Sequence, residues 1–195
     1  FGVQSILISP IFSTRGLWTK FLKGKERKED IDRLKDVLGK FRFVMIDSGA
    51  HTLLQQFGFR VASTASITKM KLTPPSPDEL ETYFNSYLRF ANAFKDVCDA
   101  FVELDIGIGV GEEKVQRWRE KLVEVLGQEK VIPVVHRWHG DMPLKVEQWM
   151  KEGFTYIGIG DTPEGSVLSD IFKVTRLKVK LHGFAYVSLD HLFTF

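Results

Sequence analysis

The stretch "AFVELDIGIGVGEEKVQRWREKLVEVLGQEKVIPVVHRW", residues 100–138, reads as strand, helix and strand in turn. "AFVELDIG" (100–107) starts apolar and stops on a carboxylate and a glycine. "EEKVQRWREKLVEVLG" (112–127) has the apolar spacing of an amphipathic helix and is closed by Gly127. "VIPVVHRW" (131–138) is apolar again and ends in a cluster headed by His136. Two apolar strands separated by a helix-length crossover make a parallel βαβ unit.

The same alternation continues on both sides. Upstream, "VQSILIS" (3–9) is a strand, and "KEDIDRLKDVLG" (28–39) is a helix with Ile31, Leu34, Val37 and Leu38 on one face. "FRFVMID" (41–47) is a second strand. "SPDELETYFNSYLRFANAF" (76–94) is a helix with a Ser cap and Pro in its first turn. Downstream come the helix "PLKVEQWMKEG" (143–153), the strand "TYIGIGD" (155–161), the helix "SVLSDIFKVTR" (166–176) and a sixth strand "VKLHGFAYV" (179–187). Repeated βα units predict an α/β fold with a mostly parallel sheet buried on both faces.

Doubly wound sheets and (β/α) barrels share this pattern. The barrel is the favoured expectation, because Asp47, Asp105, His136, Asp161 and His182 all stand at or near strand C-terminal ends. In barrels the functional loops gather on that face. Six strands are too few to close eight units, so the expected architecture is a TIM-type (β/α) barrel that is incomplete in this chain. The start at Phe1, without a methionine, carries the same expectation of a piece of something longer. Residues 1–195 are read as a single domain, with an insertion or flexible connector near 59–77 that ends in Pro74, Pro75 and Pro77.

Composition narrows the class. A hydrophobic content of 44% fills a core and excludes global disorder. The net charge is only +2, but "KFLKGKERK" (20–28) and "KVTRLKVK" (173–180) concentrate cations that suit either phosphates or a solvated face. Cys98 is the single cysteine, so neither an internal disulfide nor a multi-cysteine zinc site can form. No apolar run approaches a membrane span and nothing resembles a signal peptide. The expectation is a protein of a reducing, cytoplasmic compartment with no membrane partner and no cofactor.

Asp47 in "MIDSG" and Asp105 in "ELDIG" each end an apolar strand. Two carboxylates converging on one pocket can divide acid–base work from recognition. An ionised aspartate, which only accepts hydrogen bonds, also matches the N1–H and amino donors of a guanine-like base. Either residue can equally cap the helix that follows, and Asp-Ser-Gly is an ordinary turn sequence. Gly158 and Gly160 in "YIGIGD" permit a close approach to backbone, although the spacing is not a dinucleotide fingerprint. "GIGVG" (107–111) is a weaker case. His51, His136, His139 and His182 with the two aspartates can be read as a scattered metal site, or as hydrogen-bonded structural histidines.

Taken together and in order, "DSGAHT", "ELDIG", "IPVVHRW", "YIGIGD" and "LHGFAY" resemble the tRNA-guanine transglycosylase superfamily. The similarity is closer to its short, zinc-free phage and bacterial branch, described as queuine tRNA-ribosyltransferase-like or 7-deazaguanine DNA transglycosylases, and it runs from about residue 41 to 187. The resemblance implies a transferase that exchanges guanine in DNA or tRNA for a 7-deazaguanine base through a carboxylate nucleophile. It implies a catalytic Asp47 that holds the base and shuttles protons, with Ser48 and His51 beside it. Asp105 is implied to read the purine edge, with His136 near it, Gly158 and Gly160 alongside the base, and His182 and Gly183 completing the pocket. The chain departs from the family at Ala50-His51, where an aromatic is usual, at His136 in place of glutamine, and at Ala185 in place of glycine. The family's nucleophilic aspartate lies later than "HGFA". Asp190 in "SLDHLF" does not match it, so the nucleophile is expected beyond Phe195, or the chain is inactive. Two other classes stay open: a metal-dependent hydrolase on the same scaffold, and a non-catalytic nucleic-acid-binding or assembly protein derived from the enzyme.

Overall fold

The computed structural model describes residues 5–9, 15–56, 74–160, 165–176 and 178–184. Residues 59–73 of the expected connector, Asp161, residues 185–187 of the last motif and Asp190 lie outside the described residues.

The fold is mixed α/β with parallel sheets. The first sheet contains β1 (Ser5–Ile8), β2 (Phe43–Ile46), β3 (Ala100–Val102) and β4 (Val131–Ile132), in that order and all parallel. The second contains β5 (Val134–Val135), β6 (Tyr156–Ile159) and β7 (Lys180–Gly183), again in chain order and parallel. The helices are α1 (Arg15–Leu22), α2 (Lys28–Leu38), α3 (Ala50–Gln56), α4 (Pro77–Phe94), α5 (Gly107–Val110), α6 (Glu112–Leu126), α7 (Met142–Lys151) and α8 (Gly165–Thr175). Among the described residues no helix is long and apolar enough to cross a membrane.

Pro133 separates β4 from β5 in what the sequence presents as one strand. Before it, Ile132 O accepts from Glu103 N–H (3.0 Å); at it, Pro133 O accepts from Gly158 N–H (2.8 Å). Proline has no N–H to continue the ladder. The next donor, Val134 N–H, is taken by the Glu103 carboxylate at 2.6 Å. Glu103 is buried and ion-paired with Arg119 of α6 at 2.9 Å. One segment thus serves both sheets, and a side chain supplies the acceptor that the backbone of β3 no longer offers.

Side chains alternate across the sheet with the period of two that strands impose. Val44, Ile46, Phe101, Val131, Val135, Ile157 and Ile159 join the large core, to which the helices contribute most of their buried apolar residues. The other face is built from strand residues Met45, Ala100, Val102, Ile132 and Val134, with Phe43, Tyr156 and Phe184 against them. The sequence predicts burial on both faces; the described helices cover one. Phe43 and Tyr156 stay half-buried on the second face.

The largest share of the helical core comes from α4. Its Leu80, Tyr83, Phe84, Tyr87, Phe90, Ala91 and Phe94 recur at the spacing of one helical face and are all buried. Each large apolar side chain so placed is worth about 1.5–3 kcal/mol. Ser76 caps the helix reciprocally with Glu79, and Pro77 occupies the first turn, as the sequence predicts. Trp18 and Phe21 of α1 pack edge-on against Tyr83 and Phe90 at 5.2–6.0 Å, which anchors α1 on α4.

Candidate active site

Because the strands are parallel, the residues that follow them emerge at one end. Asp47 comes directly after β2, and its N–H continues the ladder to Ile8 O at 2.8 Å. Asp105 follows β3 after a short bend in which its N–H bonds Glu103 O. His136 follows β5, and Gly160 follows β6 with its N–H on Val135 O at 2.9 Å.

Asp105 and His136 meet. His136 Nε2 lies 2.6 Å from Asp105 Oδ2, and both side chains are largely buried. The imidazole stacks on the Trp138 indole with centroids 3.7 Å apart and planes 12° from parallel. Gly160 lies close to the same ring, where an added Cβ would collide with it. The ring therefore packs against the Trp138 face and against a backbone that carries no side chain. That contact explains Gly160 more directly than a bare glycine-rich turn does. Gly158 is used similarly: its missing Cβ would stand 2.6 Å from Phe184 Cε2 and 3.0 Å from Val134 Cγ2. At both glycines, side chains of the chain itself make the close approach.

Asp47 is buried enough to hold its proton to higher pH than a solvated aspartate. Burial is the main cause, the negative charge of Asp105 adds to it, and the Gly49 amide, the Ser9 hydroxyl and the Ser48 amide oppose it. The two carboxylates thus share one field but differ in surroundings, one desolvated and one bonded to an imidazole. Unequal environments of this kind separate acid from base roles.

Two tyrosines of α4 support the loops from behind. Tyr83 Oη donates to Ser48 O at 2.7 Å and Tyr87 Oη donates to Val102 O at 2.6 Å, both buried. Burial pushes both phenols far above their usual range, so they remain donors. Each fixes the carbonyl next to, or just before, a carboxylate-bearing turn.

The other candidate residues make their bonds elsewhere. Ser48 is fully buried, with its Oγ near the Ala50 amide at 3.4 Å. His51 is exposed on α3 and pairs with Gln55 at 3.0 Å. His182 lies on β7 with its ring 4.5 Å from Phe184 and 6.4 Å from Tyr156, and burial lowers its proton affinity. Gly183 is exposed on the same strand. Among the described residues no group of three His, Cys, Asp or Glu side chains is arranged to hold a metal ion. In the basic segment 20–28, Lys20 and Arg27 both bond Asp30.

Sequence reasoning did not reach Tyr83, Tyr87, Trp138 or Glu103. Glu103 had a visible signal, a charge inside the apolar run "AFVEL" that needs a cation, which Arg119 supplies. Nothing in the sequence pairs the tyrosines with carbonyls 35 and 15 residues away. Comparison with known proteins brings no relative: no family model, curated protein or solved structure matches this chain.

Proposed function

We propose that the chain is a nucleic-acid guanine transglycosylase, built on an open arc of a (β/α) barrel, that exchanges guanine for a 7-deazaguanine base. The observation that carries the reading is the 2.6 Å pairing of Asp105 with His136, with Asp47 near enough for the charge of Asp105 to act on it, each residue following a parallel strand at its C-terminal end. Each belongs to a motif of the resembled superfamily, in the same order. Strand order that follows the chain without reversal, with helices on one face, supports the barrel over a doubly wound sheet.

The chemistry is displacement at C1′. A carboxylate attacks C1′, the C1′–N9 bond breaks, and its electron pair leaves with the purine, which takes a proton from Asp47. The incoming deazaguanine N9 then attacks C1′, expels the carboxylate and returns a proton to Asp47. A group whose burial raises its hold on a proton suits both transfers. Asp105 accepts from the base's N1–H and amino edge, oriented by His136. The target base must leave its stack to reach such a site.

The test has two parts. Labelled guanine is incubated with the protein and duplex DNA or tRNA in separate arms, and incorporation into either polymer identifies it as substrate. Guanine is then titrated calorimetrically against wild type and Asp105→Asn, with melting curves as control. The substitution turns one acceptor into a donor facing a donor, and charged hydrogen bonds are worth about 1.5–3 kcal/mol. Affinity should fall by roughly tenfold to more than a hundredfold. Equal affinity in both proteins removes the base-reading role of Asp105.

A further inference from the structure

His139 lies one turn beyond His136, in the short 3₁₀ segment Arg137–His139, and its side chain is almost fully buried. Its Nδ1 accepts the His136 backbone N–H at 2.8 Å, and its Nε2 lies 2.8 Å from Glu112 Oε2. The acceptor role leaves Nδ1 without a proton, so the proton sits on Nε2 and points at the carboxylate. An edge-on contact with Trp149 at 5.9 Å restrains the ring plane. Hydrogen bonding to His139 holds the Glu112 carboxyl below its usual range, which keeps it an acceptor.

Glu112 opens α6, and its carboxylate occupies the space that a Cβ on Gly107 would fill. Gly107 stands two residues after Asp105. The bridge therefore runs from the loop that carries Asp105, through Glu112 and His139, to the backbone of the residue that carries the imidazole. Asp105 and His136 are joined in front by their own 2.6 Å bond and behind by this second link.

We infer that Glu112 and His139 are positioning residues, a brace that holds the Asp105 and His136 loops at the separation their side chains need. The inference concerns the pair itself and stands whatever the substrate is. Short charge-assisted bonds depend steeply on distance, so loosening the loops weakens this one before it disturbs the core.

The readout is the proton shared by His136 Nε2 and Asp105 Oδ2, followed by NMR as a downfield resonance and by its exchange with water, with Asp105→Asn to assign it. His139→Leu removes both links. Gly107→Ala should act the same way by a different route, because its new methyl meets only the end of the Glu112 side chain and costs the fold little. In each, the resonance should broaden or disappear, with exchange faster by about tenfold or more, while the melting temperature of Gly107→Ala stays near wild type. Glu112→Gln, whose Oε1 still accepts from His139 Nε2–H, should retain the signal. An unchanged resonance in Gly107→Ala overturns the inference, and so does its loss in Glu112→Gln with the fold intact. Neither measurement involves a substrate, so failure here leaves the transglycosylase reading untouched, and the reverse also holds.

Discussion

The two ends of the parallel strands treat charge in opposite ways. At the C-terminal end, Asp47 feels the charge of Asp105, Asp105 bonds His136, and Glu103 pairs with Arg119, with most of this surface withdrawn from water. At the N-terminal end, a cleft of about 620 Å³ between α7 and α8 is lined by Lys151, Lys173, Arg176 and Lys178 beside Glu147. There Lys151 pairs with Glu147 and Lys173 with Asp170, in exposed i,i+4 and i,i+3 geometry. Lys151 and Lys173 occupy the last turns of their helices, where cations offset the negative end of the helix dipole. Charge at this end assists the fold. At the other end it opposes the fold through desolvation, and a fold keeps such groups when they serve something else.

The largest expected break falls on the buried pair. Arg119→Met keeps the length of the side chain but leaves Glu103 buried without its cation, which costs roughly 3–5 kcal/mol. At roughly 2–4 °C per kcal/mol for a chain of this size, the melting temperature should fall by about 10 °C at pH 7. The deficit should shrink in acid, because Glu103 is already biased toward its proton by burial and takes it up readily once the guanidinium is gone. A loss of under 1 kcal/mol at neutral pH would instead mean that the two ends differ less than the burial suggests.

The tyrosine supports come next. Tyr87→Phe leaves Val102 O buried without its donor, and Tyr83→Phe does the same to Ser48 O. Each should cost about 1–3 kcal/mol. Guanine affinity should fall in both, since the carbonyls they hold sit in the segments carrying Asp47 and Asp105. Chemical denaturation with calorimetry on the same samples separates the two effects. Full affinity in a destabilised Tyr87→Phe would restrict that tyrosine to packing.

Much of this fold was legible because apolar period and capping chemistry are local. Ser76, Pro77 and Glu79 mark the start of α4, and Gly127 marks the end of α6 with φ 85°. The strand ends carrying Asp47, Asp105 and His136 were legible for the same reason, as apolar runs that stop on a polar residue. Three short helices were not foreseen. α3 and α5 follow turn-like sequences, "DSG" and "DIG", whose residues favour turns when taken one by one, and α1 is fixed by Trp18 and Phe21 reaching aromatics of α4. The split at Pro133 was also missed, because it works only through Glu103 from another strand. Long-range partners such as His139 with Glu112 leave no periodic trace at all.

A smaller effect tests the desolvation claim by its sign. Asp47 binds its proton more tightly in the folded chain than in the unfolded one. Stability is therefore lost as pH rises from about 3.9, the ordinary aspartate value, through the raised folded value. Asp47→Asn removes the charge at every pH. It should melt a few degrees above wild type at pH 7, and the advantage should close as pH falls below about 4. A variant less stable than wild type at pH 7 would show that the amide bonds to Asp47 outweigh its burial.

The smallest expected effect lies at the other end. Arg176 follows α8 with φ 44°, its N–H on Phe172 O at 2.9 Å, the left-handed position where helices commonly place glycine. A side chain there costs roughly 1–2 kcal/mol, and glycine returns part of that gain through the greater freedom of the unfolded chain. Arg176→Gly should therefore stabilise by about 0.5–1 kcal/mol while removing one cation from the cleft. Guanine affinity and the His136 proton should be unchanged, since neither depends on the N-terminal end. A variant that gains stability but loses affinity for DNA or tRNA would show that this cleft contacts phosphate, and its cations would then belong with the functional charges rather than with the helix ends.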